Sequence, residues 1–216
     1  MPKETFYNLP KEKREGIVNI LLEEFSEQTY KSVSISRIVE KAGIAKGSFY
    51  QYFEDKADCS LHLVNLAMEE KRKFFNHIPP PDPDMDLFAL LRWMLDIGTQ
   101  FEFSSRRLSQ IIYRAVIEEV PLPDETNALI KQGSQDYFKQ MISDGISKGD
   151  INPEIDPDVG AFIFNAIFTN LGTHLLEQYT EGPEVLLENN LEVFKSEAIQ
   201  HVFDQVIHIL EHGFKK

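Results

Sequence analysis

The sequence has a single cysteine, Cys59, and so cannot close an internal disulfide. It opens Met1-Pro2-Lys3-Glu4-Thr5, without the apolar stretch of a secretory signal, and the expectation is a chain made for a reducing, cytoplasmic compartment. No run alternates apolar and polar residues for long enough to make a strand. No phosphate-binding glycine loop, nucleophile elbow or zinc-protease motif occurs, which gives no basis for an enzyme or for a cofactor. One stretch without Asp, Glu, Lys or Arg, Val159 to Leu176, approaches the length of a membrane span. Asn165, Thr169, Asn170, Thr173 and His174 interrupt it, and each is costly in hydrocarbon. A helix buried in protein or at a subunit interface is therefore expected, and no membrane partner.

What is present is ordinary for a folded chain: 42% hydrophobic and 26% charged residues, enough apolar material to build a core and argue against disorder. The net charge of −13 looks unsuited to nucleic acid until it is divided along the chain. Residues 1–56 carry nine basic and nine acidic residues, whereas residues 57–216 carry thirteen and twenty-six. Phosphate contacts depend on where cations sit locally, so a neutral head on an acidic body can still bind DNA. Two functional parts are expected, residues 1–56 and residues 57–216.

Helical periodicity runs through the chain and predicts nine helices. The first spans about Pro10 to Gln28, with Ile17, Ile20, Leu21 and Phe25 on one stripe. Ser34 caps a short helix that Gly43 ends, a second short helix covers about Lys46 to Phe53, and Asp55 caps a long one through about Asn76. Prolines 79, 80, 81 and 83 break the pattern, as do prolines 121 and 123. Further helices are expected over about Met85–Phe103, Ser105–Glu118, Asp124–Lys148, Asp158–Tyr179 and Glu184–Gly213.

The informative stretch is Ser34 to Lys56. Two short helices joined at Gly43 make a helix-turn-helix, which presents its second helix to a major groove. Ala45, Phe49 and Phe53 recur every four positions and are expected to face inward. Lys46, Gly47, Ser48, Tyr50, Gln51 and Tyr52 then point elsewhere. Gly47 costs about 1 kcal/mol relative to Ala inside a helix, a cost that makes sense where something approaches the backbone closely. Lys46 and Gln51 can reach base edges, tyrosine a thymine methyl or a phosphate, and Ser48 and Tyr52 can hold phosphates. Lys56 adds a cation beside helix-terminal amides.

In its order of residues, the run from Val33 to Lys56 closely resembles the DNA-binding signature of the TetR family: a capped helix, an Ala-Gly turn, Lys-Gly-Ser-Phe-Tyr-Gln-Tyr-Phe and a downstream lysine. The resemblance is strong over about residues 10–70. It implies an all-α fold with an N-terminal three-helix DNA-binding domain and a larger helical ligand-binding and dimerisation domain. It implies DNA contacts by Ser34, Lys46, Gly47, Ser48, Tyr50, Gln51, Tyr52 and Lys56. Ala45 departs from the family's usual Ser or Thr cap. The function implied is a repressor that binds a palindromic double-stranded operator as a homodimer, paired through its last two helices, and is released by a small, mostly apolar effector.

The final helix is apolar on two adjoining sides, Leu191, Phe194, Ala198, Val202, Val206 and Ile209 on one, Ile199, Phe203, Ile207 and Leu210 on the other. One can face its own domain and the other a partner. Trp93, Phe101, Tyr113, Tyr137, Phe138, Phe162 and Phe168 are candidates to line an effector pocket between helices, with Asn165, Thr169 and His174 to orient the ligand. Asp204, His208 and His212 share a helical face at metal-ligand spacing, but histidines near a helix C-terminus are also favoured by its dipole, and no metal is expected. The alternative to a DNA-binding regulator is a helical small-molecule or protein-adaptor bundle that uses Tyr50 and Tyr52 as interface anchors. Steep salt dependence of duplex binding separates the two.

Overall fold

A computed structural model describes residues 2–82, 84–117, 120–179 and 196–215. Among them are ten helices and no strand: α1 (Glu4–Tyr7), α2 (Lys11–Glu27), α3 (Ile35–Lys41), α4 (Lys46–Tyr52), α5 (Lys56–His77), α6 (Leu87–Ser104), α7 (Arg106–Ile117), α8 (Asp124–Lys148), α9 (Pro157–Tyr179) and α10 (Glu197–Phe214). The predicted all-α class is observed. The one helix that periodicity missed is α1, a single turn too short to carry a pattern, which exists because Phe6 is buried at 1% exposure. The expected start of the last helix at Glu184 lies outside the described residues, as do Leu191 and Phe194. Within them α10 begins after Ser196, whose side chain accepts a hydrogen bond from the Ile199 amide.

The chain forms two compact units, one of Met1–Phe74 with Ser105–Asn127, the other of Phe75–Ser104 with Ala128–Lys216. In the first, α2 buries Ile17, Leu21 and Phe25 and packs along α7. Glu24 of α2 is a buried carboxylate, and its charge is compensated by the Arg37 guanidinium at 2.6 Å and the Ser34 amide at 3.0 Å. Burial pushes its pKa up, but Arg37, the Ser34 amide and the charge of Lys41 outweigh burial and hold the carboxyl below the usual range. The neighbouring Glu23 is shared between Lys41 of α3 at 2.6 Å and Arg107 of α7 at 3.6 Å. Arg114 donates to the Ser26 carbonyl at the C-terminal end of α2. Three helices are thus cross-braced at the end of α2 that meets the helix-turn-helix.

In the second unit, Leu91, Ile142, Phe164, Leu175 and Phe203 are fully buried in one apolar core. Of the two apolar sides of α10, Ile199, Phe203, Ile207 and Leu210 enter it. Val202 and Val206 are half-buried, Ala198 is exposed, and Ile209 is 67% exposed. Arg92 of α6 fixes α10 by bonding Asp204 at 2.7 Å and Gln200 beside it. That pairing engages Asp204, while the rings of His208 and His212 lie tilted by 48° with their centres 4.0 Å apart. No helix among the described residues is long and apolar enough to cross a membrane.

Candidate DNA-reading interface

The helix-turn-helix is set by local chemistry. Ser34 caps α3 by accepting from the Arg37 amide at 3.4 Å. The turn passes through Gly43 at φ 61°, a left-handed conformation that costs an L side chain about 1 kcal/mol or more. Asp55 caps α5 through the Asp58 amide at 2.8 Å, and the Asp58 carboxylate accepts the Glu54 amide in return. Between these stops α4 is only seven residues long.

Phe49 and Phe53 turn inward as expected, at 1% and 0% exposure. Ala45 does not: it is exposed and is the N-cap of α4, with extended backbone and no side-chain cap bond. Lys46, Gly47, Tyr50 and Gln51 lie together on the exposed face of α4, with Ser48 half-buried beside them. A Cβ built on Gly47 meets nothing within 4 Å, so packing in this chain does not require a glycine at that position.

Two of the sequence-chosen residues are placed differently. Tyr52 is buried, its ring centre 5.8 Å from that of Phe6, because α1 covers a face that would otherwise be open. Lys56 turns back on its own domain: its ammonium donates to the carbonyls of Tyr30 at 2.7 Å and Val33 at 3.4 Å, and lies 4.5 Å from the centre of the Tyr30 ring. Lys3 and Thr5, which no sequence motif marks, donate to the carbonyls of Tyr50 and Gln51. No local pattern signals a contact between residues 46 or more positions apart.

The residues chosen for an effector pocket are not gathered into one site. Phe101 and Phe138 are buried, and Trp93, Asn165 and Phe168 are half-buried in the second unit. Tyr113 belongs to the first unit, and Tyr137, Phe162, Thr169 and His174 are exposed. Helix α9 carries apolar residues beyond its buried stripe, so Phe162 is exposed while Phe164, two positions on, is buried. A small cavity does lie in the first unit, lined by Phe25, Tyr30, Ser60, Val64, Ile111, Arg114, Ala115 and Val120. At about 20 Å³ it has room for a water molecule and not for a drug-sized ligand. Cys59 is fully buried, and burial pushes its thiol well above the ordinary range, as befits a packing residue.

Residues 17–63 match the family model described as bacterial regulatory proteins, tetR family, and residues 85–215 match that of the tetracyclin repressor-like C-terminal domain. A TetR-family transcriptional regulator from Chloroflexus aurantiacus J-10-FL is 49% identical, aligned over 100% of this chain and 99% of its own, with a TM-score of 0.89. NalD, the secondary repressor of the MexAB-OprM multidrug efflux pump in Pseudomonas aeruginosa, shares the fold at 16% identity over 95% of this chain and 97% of its own, with a TM-score of 0.62. An HTH-type transcriptional regulator of Staphylococcus aureus (strain USA300) is 28% identical over 102 residues, 47% of this chain and 54% of its own length. The chain thus spans about half the length of the curated relatives it matches.

Proposed function

The chain belongs to the TetR family of helix-turn-helix transcriptional regulators, which are not enzymes, and from that premise we propose that it binds a palindromic operator as a homodimer and releases it when a small, mostly apolar effector enters. The observation that carries the reading is the exposed face of α4. Lys46, Gly47, Tyr50 and Gln51 are presented together to solvent, with a bare patch of backbone at Gly47, on a helix whose other side is spent on the core. Lys46 and Gln51 supply donors and an acceptor for base edges, Tyr50 an apolar edge for a thymine methyl, and Ser48 and the Ser34 cap hydroxyls for phosphates. In this reading the DNA-binding part lies within residues 1–56, and residues 57–216 serve the effector and the partner subunit.

Dimerisation is assigned to the outer faces of α9 and α10. Val159 and Phe162 on α9 and Ile209 on α10 are 55%, 65% and 67% exposed, an apolar surface that a two-fold copy of itself can cover. The effector is assigned to the second unit, whose buried or half-buried Trp93, Phe101, Phe138 and Phe168 offer apolar surface and whose half-buried Asn165 offers a polar group to orient a ligand. Occupying the operator is enough to block transcription, so repression relieved by the effector is the simplest sign of control. Selection of a random duplex pool with the purified chain at low ionic strength tests the reading. Enrichment of a palindrome, bound less tightly as salt rises, supports it; a folded chain that enriches nothing overturns it.

A further inference from the structure

The last four carbonyls of a helix have no partner within it, and in a helix of seven residues they are half or more of the backbone acceptors. In α4 all four are satisfied. The Phe49 carbonyl accepts from the Phe53 amide at 2.8 Å. The other three are taken by a segment nearly fifty residues away: the Lys3 ammonium donates to Tyr50 at 3.0 Å, the Thr5 hydroxyl to Gln51, and the Lys3 amide to Tyr52 at 2.8 Å. Phe6 completes the attachment, its ring centre 5.0 Å from that of Phe53 and 5.8 Å from that of Tyr52. The Lys3 ammonium stands at the negative end of the α4 dipole and also pairs with Glu54 at 2.7 Å.

We propose that Lys3, Thr5 and Phe6 form a clamp that positions the recognition helix, fixing its tilt and roll, without themselves contacting DNA. An isolated two-turn helix does not hold its shape in water, and base readout needs side chains placed to a fraction of an ångström. At its N-terminal end α4 follows the Gly43 turn with no side-chain cap bond at Ala45, and Phe49 seats its inner side in the core. The clamp supplies the second fixed point, on the residues, Tyr50 and Gln51, whose side chains lie on the exposed face. It rests on the reading of α4 as the DNA-reading element, and it makes residues 3–6 determinants of operator specificity.

The test compares the full chain with Thr5→Val, Thr5→Ser and Lys3→Met on the duplex enriched by the wild type and on its scrambled version. Thr5→Val removes one donor with no change of charge. It is expected to weaken binding to the enriched duplex by about three- to tenfold, the worth of one hydrogen bond. Binding to the scrambled duplex and the salt dependence stay as in the wild type, Thr5→Ser restores the loss, and amide exchange across residues 49–53 quickens. Lys3→Met follows the same pattern. Thr5→Val reading the enriched duplex as well as the wild type overturns the clamp. So does Lys3→Met if it weakens both duplexes equally and lowers the salt slope by about one, because Lys3 is then a phosphate contact. A wild type that enriches no duplex overturns the reading of α4, and the clamp with it, while exchange at residues 49–53 still reports whether the attachment itself holds.

Discussion

Lys56 at the start of α5 points its ammonium at the carbonyl of Tyr30, 2.7 Å away, and lays its charge over the same residue's ring. One side chain thereby closes the loop between α2 and α3 onto α5, the helix that follows α4. The lysine that the family resemblance marks as a DNA contact is, in this conformation, an internal tie.

Lys56→Met keeps the apolar stem and removes the donors. It is expected to lower stability by ~1–2 kcal/mol, the cost of leaving carbonyl acceptors without a charged partner at a half-buried site. Thermal unfolding measures that loss. Salt titration of duplex binding separates the roles, since a tie leaves the slope unchanged, and a drop of about one returns Lys56 to the phosphates.

Gly47→Ala is expected to raise stability by about 0.5–1 kcal/mol, because alanine suits a helix better and its methyl meets nothing within 4 Å. With α4 as the proposed DNA-reading element, affinity for the operator is expected to fall, because the methyl would stand in the way of a close approach of DNA to the backbone. Calorimetry and a binding titration on one preparation read the two opposed effects. A variant both more stable and equally tight in binding removes the close-approach argument.

His62 packs against Phe6 and Phe53, with ring centres 5.8 Å and 6.1 Å away. Burial holds its pKa below the ordinary 6.5, against the opposing pull of Asp58 one turn earlier on α5. The unfolded chain therefore binds the proton at a higher pH than the folded one. Stability is fully present above 6.5 and is lost as pH falls through the lowered folded value. Urea unfolding between pH 8 and pH 5 is expected to show this loss, and His62→Phe to flatten it. Parallel curves for the two chains would exclude His62 as its source.

Phe162→Glu and Ile209→Glu place charge on the outer faces of α9 and α10. Covering each large apolar side chain is worth ~1.5–3 kcal/mol, and two-fold symmetry repeats each substitution. The double variant is expected to sediment as a folded monomer and to bind operator only weakly. If it sediments as the wild-type dimer, the subunits pair elsewhere.

The elements legible in the sequence are those whose boundaries are written in adjacent residues. Ser34, Gly43 and Asp55 act within four positions of themselves, so the helix-turn-helix and its stops are read from the chain directly. Two stripes on the final helix are legible for the same reason, since a 3.6-residue period is a local property.

Tertiary structure decided whatever depends on a distant partner. It buried Tyr52 under Phe6, turned Lys56 onto Tyr30, set Lys3 and Thr5 on the carbonyls of α4, and joined α7 to the first unit. It also decided which aromatic residues of α9 are covered, leaving Phe162 exposed and Phe164 buried. A period shows that a face exists, but only the packing partner determines whether that face is covered. The residues are therefore known from the sequence, and their orientation from the fold.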